Sequence, residues 1–139
     1  MEIRYHDTKE FETMELQELF LSIGWDSGNY REELQLALKN SHRVFSAWHE
    51  ERLVGLINAL SDGVMTAYFH YMLIHPQYRR LGIGKKLLGL MLEEYRAPAI
   101  RVLIAYEDVV DFYRKCGFRD GQGNTAMFLT KIDSVNRTS

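Results

Sequence analysis

The sequence predicts an α/β (α+β) domain, a mixed and mostly antiparallel sheet with helices on both faces. Three observations lead there. Two β-rich runs, 43–49 and 52–61, are separated only by Glu50 and Glu51, as in an antiparallel hairpin. Further on, a helical repeat of apolar residues from Gly84 is flanked by strand-like runs at 64–75 and 99–105, the pattern of a strand–helix–strand crossover. With 139 residues, 46% of them apolar, the chain has the size and composition of one domain with a real core, so residues 1–139 are read as a single unit with a flexible tail at 133–139.

Taken in order, "EIRYH" (2–6) alternates like a short strand, and Asp7 with Glu10 offers a capping box for the helix that follows. Leu16, Leu19, Phe20 and Ile23 recur at helical spacing, and Gly24 is the expected stop. "GWDSGNY" (24–30) is loop-like, and Asn29 with Glu32 is positioned to cap a second helix carrying Leu34 and Leu38. The hairpin comes next, then the "DG" turn at 62–63 and a third long run, 64–75, which Pro76 must end because it lacks a backbone donor. Leu87, Leu88, Met91, Leu92 and Tyr95 make an amphipathic helix closed by Pro98. A buried-strand run (99–105), a short helix (107–116) stopped at Gly117, and an alternating run "NTAMFLTKI" (124–132) complete the order β-α-α-β-β-β-α-β-α-β.

Composition excludes several classes of function. Lys and Arg (17) nearly balance Asp and Glu (19), so no global field favours a nucleic acid or a membrane surface. No apolar stretch reaches the roughly 18 residues of a membrane span. The single cysteine, Cys116, excludes an internal disulfide and a cysteine-based zinc site, and core packing is its expected role. A cytoplasmic protein without a metal is expected, with a charged N-terminus in place of a signal peptide.

The chemistry concentrates in "RRLGIGKKLL" (79–88), which lies between a strong strand and a strong helix. A helix start presents backbone N–H groups without internal partners and the positive end of the helix dipole, so it suits an anion. Gly82 and Gly84 let the backbone curl close to a phosphate, with Arg79, Arg80, Lys85 and Lys86 adding charge nearby. Two well-known phosphate loops do not fit. Lys86 stands where a Walker A loop needs Ser or Thr, and Leu87 where the dinucleotide fingerprint needs its third Gly.

"LIHPQYRRLGIGKKLL" (73–88) resembles the central motif of the GCN5-related N-acetyltransferase (GNAT) superfamily, in which Arg or Gln is followed after two residues by Gly-x-Gly/Ala. Arg79, Gly82 and Gly84 fill those positions, and Tyr113, Gly117 and Phe118 match that family's helix-ending pattern of Tyr, three residues, then Gly-Phe. The resemblance spans roughly residues 2–132 and matches the element order already derived. It implies the GNAT fold, a central sheet of six to seven strands whose fourth and fifth splay apart, with about four helices. It also implies acetyl-CoA as donor and an amine as acceptor, in a ternary complex formed by a monomer or homodimer. The backbone of Met72, Leu73 and Ile74 would bind the pantetheine arm, one N–H polarising the thioester carbonyl. The amides from Arg80 through Leu81, Gly82, Ile83 and Gly84 to Lys85 would hold the pyrophosphate. A non-catalytic acyl-CoA-binding domain is the alternative.

Acetyl transfer needs an uncharged amine, whose ordinary pKa is about 10, and a proton for the departing thiolate. Tyr113 matches the tyrosine that serves the thiolate in this family. For the base, two residues stand out. Asp62 ends the third strand, although "SDG" is also ordinary turn chemistry. His70 offers an imidazole, a group that titrates near neutrality, and with "EDVVDFY" (107–113) resembles animal serotonin acetyltransferases, which carry two histidines on the equivalent strand; the second falls at Tyr68, so the pair is incomplete and a satisfied strand histidine is the other reading. His75 is read as structural. The asparagine that many family members place seven residues before the motif tyrosine is Tyr106 here, so that contact is not carried over. Trp25 and Tyr30 are the expected acceptor-side residues, placed to cover an apolar or aromatic amine.

Overall fold

A computed structural model describes residues 1–96 and 100–131. Five strands form one sheet in the order β1 (Arg4–His6), β2 (Arg43–His49), β3 (Arg52–Ser61), β4 (Thr66–Ile74) and β5 (Ile100–Leu103). The first four pair antiparallel, and β5 runs parallel to β4. Four α-helices flank it, α1 (Thr13–Ser22), α2 (Arg31–Lys39), α3 (Ile83–Glu94) and α4 (Val110–Lys115).

The two faces of the sheet hold separate cores. On one face, Leu16, Leu19 and Phe20 of α1 and Leu34 and Leu38 of α2 pack with Val44, Leu56 and Leu73. On the other, Ile83, Leu87, Leu88 and Met91 of α3 meet Val54, Ile57, Ala59, Ala67 and Phe69, and Phe112 and Tyr113 of α4 close over the edge. Each fully buried side chain of this size contributes about 1.5–3 kcal/mol, so α3 is fixed to the sheet by its apolar stripe.

The hairpin 43–61 and the helices fall where the residue pattern puts them, with shifts at their ends. The capping pair of α1 is Glu12 with Glu15, whose Oε2 accepts the Glu12 N–H at 2.8 Å, in place of Asp7 with Glu10. Asn29 does not cap α2; it ends a 3-10 turn over Asp26–Asn29, and Tyr30 precedes the helix. β4 starts at Thr66 rather than 64 because one Asp62 oxygen gathers the N–H groups of Val64, Met65 and Thr66. Pro98 and the tail 133–139 lie outside the described residues.

The expected sheet of six to seven strands needs correction. Among the described residues there are five, because 124–131 forms no strand. Its apolar residues Met127 and Leu129 are fully open to solvent, at 89% and 104% exposure. Alternation confers β propensity but no partner, and a strand exists only where another backbone edge takes up its hydrogen bonds.

Candidate active site

The donor end is built where β4 runs into α3. The β4–β5 ladder covers Thr66↔Ile100 to Phe69↔Leu103 and stops, while β4 continues to Ile74. From His70 onward β4 therefore continues without a β5 partner in the ladder. His75 and Pro76 turn the chain, with His75 N–H donating to the Val54 carbonyl at 2.8 Å. A 3-10 turn over Pro76–Tyr78 follows, fastened by the Gln77 N–H donating to His75 Nδ1 at 3.2 Å. The His75 side chain is buried, and this burial with the facing Arg52 lowers its pKa, consistent with a neutral structural histidine.

Next comes the loop. Arg80 has φ 66° and Gly82 φ 78°, two left-handed residues that reverse the chain into α3. The first intrahelical bond is Lys86 N–H to the Gly82 carbonyl at 3.0 Å, so the N–H groups of Ile83, Gly84 and Lys85 precede the ladder at the positive end of the helix. Ile83 is buried and anchors the turn, whereas Arg79, Arg80, Leu81, Gly82 and Lys85 are exposed. Gly84 is close-packed, since a Cβ there would stand 3.1 Å from Met72 Cε and 3.5 Å from Phe112 Cζ. The glycine thus brings the start of α3 against the part of β4 beyond the β5 ladder and against α4. These features fit the diphosphate and arm of a coenzyme A thioester, with amides for the anion and an open strand edge for the arm.

Tyr113 projects from α4 into the same core, its ring 6.0 Å from that of Phe118 and 5.2 Å from that of Phe112. The chain after α4 folds back at Gly117, and the Phe118 N–H reaches the Tyr113 carbonyl at 3.1 Å. Burial, with Cys116 adding a smaller push, raises the phenol to about 12, so it is fully protonated at neutral pH.

Around His70 lies a run of aromatic rings. His70 Nδ1 lies 2.8 Å from the Tyr68 hydroxyl, and the His70 ring centroid is 4.1 Å from that of Tyr71. Tyr71 meets Phe20 at 5.1 Å and Trp25 at 6.3 Å, and Trp25 in turn meets Tyr106 at 6.0 Å. His70 is itself exposed, but the rings packed about it remove part of its hydration and lower its pKa, which favours the neutral imidazole at pH 7. Tyr106 follows β5 and precedes α4, so the Trp25 contact joins the α1–α2 loop to the chain beyond β5.

The GNAT acetyltransferase family pattern matches residues 10–118. An uncharacterised N-acetyltransferase, ycf52 of Porphyra purpurea, is 34% identical over 129 residues, covering 88% of this chain and 74% of the relative. A histone acetyltransferase of Glycine max, TAP1, is 30% identical over 133 residues, covering 86% of this chain and 57% of its own. The crystal structure of a putative acetyltransferase of Deinococcus radiodurans superposes with a TM-score of 0.80 at 28% identity, covering 94% of this chain and 90% of its own. The chain belongs to the GNAT acetyltransferase family.

Within this acetyltransferase, Met72 and Ile74 share the α3-side core with Ile83 and Tyr113, and Gly84 stands against Met72, whereas the Leu73 side chain packs on the α1–α2 side. Trp25 joins the His70 ring system through Tyr71, whereas Tyr30 stands at the start of α2, 46% exposed. Asp62 is committed to its turn. Its three N–H donors hold the carboxyl below the usual range. The residue pattern did not single out Tyr71 as a site residue, nor Tyr106 as a ring contact of Trp25, and both are tied in by contacts distant in sequence. Among the described residues, no group of three His, Cys, Asp or Glu side chains converges as a metal site, and no helix is long and apolar enough to cross a membrane.

Proposed function

We propose that the protein moves an acetyl group from acetyl-CoA directly to a primary amine, on a small molecule or a peptide, within a ternary complex. The observation that carries this reading is the end of the β4–β5 ladder at Phe69↔Leu103, which leaves an open strand leading into a helix start rich in free amides. When bound, the donor supplies a thioester carbonyl open to attack and a sulfur that departs as a thiolate.

The chain's own residues do the rest. The Ile83, Gly84 and Lys85 amides bind the diphosphate, helped by the nearby Arg79 and Arg80. The β4 backbone at Met72, Leu73 and Ile74 orients the pantetheine arm and offers an N–H to the thioester oxygen. His70, neutral at pH 7, takes the proton from the acceptor nitrogen, directly or through one water. Asp62 is a weaker base, because lowering its pKa favours the carboxylate at the cost of basicity, and we assign it to the turn. Tyr113 holds its proton on Oη and donates a hydrogen bond to the departing sulfur. Burial makes this phenol a weaker acid than an ordinary tyrosine, so it stabilises the thiolate as a hydrogen-bond donor, and the thiolate takes its proton from solvent. Trp25 and the rings of Tyr71 and Tyr106 line the acceptor's approach.

The test is free-thiol release from acetyl-CoA against ethylamine, phenethylamine, spermidine, glucosamine and a lysine-containing peptide. Turnover of at least one is expected, and none across the panel would argue against an amine acceptor. With an active amine, Tyr113→Phe should lower kcat about 10- to 100-fold while leaving acetyl-CoA affinity within about twofold. Unchanged kcat would remove Tyr113 from the reaction.

A further inference from the structure

The β3–β4 pairing changes step at one place. Ile57 faces Met72, but two residues further along β3 Ala59 faces Phe69, so β4 advances three residues while β3 advances two. His70 and Tyr71 together oppose Asn58, which is a β-bulge. The side chains record it as well. Ala67 and Phe69 belong to the α3-side core, and so do Met72 and Ile74, while Tyr71 and Leu73 pack on the α1–α2 side. The inward-facing positions thus switch from odd to even numbers across His70 and Tyr71. A regular strand would put Tyr71 and Leu73 where Met72 and Ile74 now lie, and every group on the donor-facing edge would change place.

Asn58 is 2% exposed, and its amide lies within the bulge. Its Oδ1 accepts the Tyr71 N–H at 2.7 Å, and its Nδ2 donates to Ser41 Oγ at 3.0 Å. The Ser41 hydroxyl, on a residue equally buried, donates to the Ala37 carbonyl of α2 at 2.9 Å. The direction of each bond is fixed at both ends. A backbone N–H can only donate and a carbonyl can only accept, so a flipped Asn58 amide would set donor against donor. The chain of bonds runs from the bulge to α2 and satisfies groups that water does not reach.

We propose that Asn58 is a positioning residue for acetyl transfer. By holding the Tyr71 N–H it fixes the bulge, and the bulge sets both the His70 ring and the register of the free β4 backbone from Tyr71 to Ile74. The catalytic consequence rests on the function proposed above, whereas the control of the bulge does not. The grip on the diphosphate belongs to the α3 loop and is independent of Asn58.

The experiment compares Asn58→Ala, Asn58→Asp and Leu38→Ala with the unaltered protein. Leu38 is fully buried in α2, in the core on that face of the sheet, and is assigned no role in the reaction. Hydrogen exchange at the Tyr71 amide, acetyl-CoA Kd and kcat with the best amine of the panel are read together. Asn58→Ala should expose the Tyr71 amide to exchange and lower kcat about 10- to 100-fold, the scale of a small misplacement of reacting groups, with Kd within about threefold. Asn58→Asp keeps an acceptor for the N–H and should recover part of that loss. Leu38→Ala should lower Tm with kcat within about twofold. Should Asn58→Ala not fold, Ser41→Ala leaves the Asn58–Tyr71 bond in place but frees its far end, and a smaller fall of the same kind is expected. The proposal is overturned if Tyr71 exchange is unaltered in these variants, or if kcat falls alike in Asn58→Ala and Leu38→Ala. If no amine is acetylated by the unaltered protein, the function proposed above fails, while the exchange of Tyr71 still decides whether Asn58 holds the bulge.

Discussion

The two ends of the proposed site, one for the donor and one for the acceptor, are built on opposite principles. At the donor end, from Arg79 to Lys85, the work falls to backbone: left-handed turns at Arg80 and Gly82, then amides that precede the α3 ladder. At the acceptor end it falls to side chains drawn from distant parts of the sequence, Trp25 of the α1–α2 loop, His70 and Tyr71 of β4, and Tyr106 beyond β5. A backbone cradle tolerates changes of side chain and is broken by changes of conformation. A cluster of rings behaves the other way. Substitutions at the two ends should therefore separate into effects on chemistry and acceptor use, and effects on acetyl-CoA affinity.

The largest effect is expected at the acceptor end. His70→Gln should lower kcat/KM for the amine about 100-fold at neutral pH while acetyl-CoA Kd stays within about twofold. The pH profile sharpens this. Because loss of hydration lowers the His70 pKa, the imidazole stays neutral further into acid, and the acidic limb of kcat/KM in the unaltered protein should lie below the ordinary histidine value of about 6.5. The limb should disappear in His70→Gln. A limb that persists there belongs to another group, and the acceptor end would have to be reassigned.

A smaller effect, on the other quantity, is expected from Gly82→Val. At φ 78° a β-branched side chain is strained even though a Cβ at this position has no neighbour within 4 Å. The strain, about 1–3 kcal/mol, favours a rearranged loop, so acetyl-CoA affinity should fall about tenfold in a calorimetric titration. The amine KM should change little. A loss of kcat without loss of affinity would show that the loop governs chemistry rather than binding.

The same division explains what the sequence made legible. The cradle is local. Two glycines, the helix repeat behind them and the proline before them lie within the twenty residues 76–95, and each has one physical meaning. Tyr113 on α4 and Gly117 just after it share that locality. The bulge at His70 and Tyr71 does not show, because "TAYFHYMLI" has side chains that suit either face at almost every position, and its parity switch appears only when β3 lies beside it. Asn58 reads as one polar residue in an apolar strand until Tyr71 and Ser41 are brought to it. The run 124–131 is the converse case, a strand-like pattern with no edge to complete it among the described residues. Asp62 shows how one motif answers two questions. "SDG" signals a turn, and the three bonds that build the turn are what disfavour the carboxylate as a base.

The smallest effect tests the principle most closely, because Arg80 belongs to the cradle both by backbone and by charge. Its guanidinium is exposed, and near a diphosphate in water a single such charge is worth on the order of 1 kcal/mol or less, declining with salt. Arg80→Ala should therefore weaken acetyl-CoA binding less than about fivefold, and the difference should shrink at high ionic strength. Its backbone, at φ 66°, carries the larger demand, since a non-glycine residue in this region costs roughly 1–2 kcal/mol. Elsewhere a glycine is less stabilising than an alanine, because it leaves the unfolded chain freer. Here the order should reverse, with Arg80→Gly showing a Tm at or above that of Arg80→Ala and an equal acetyl-CoA Kd. If Arg80→Ala instead costs more affinity than Gly82→Val, the diphosphate is held by side-chain charge, and the contrast between the two ends of the site dissolves.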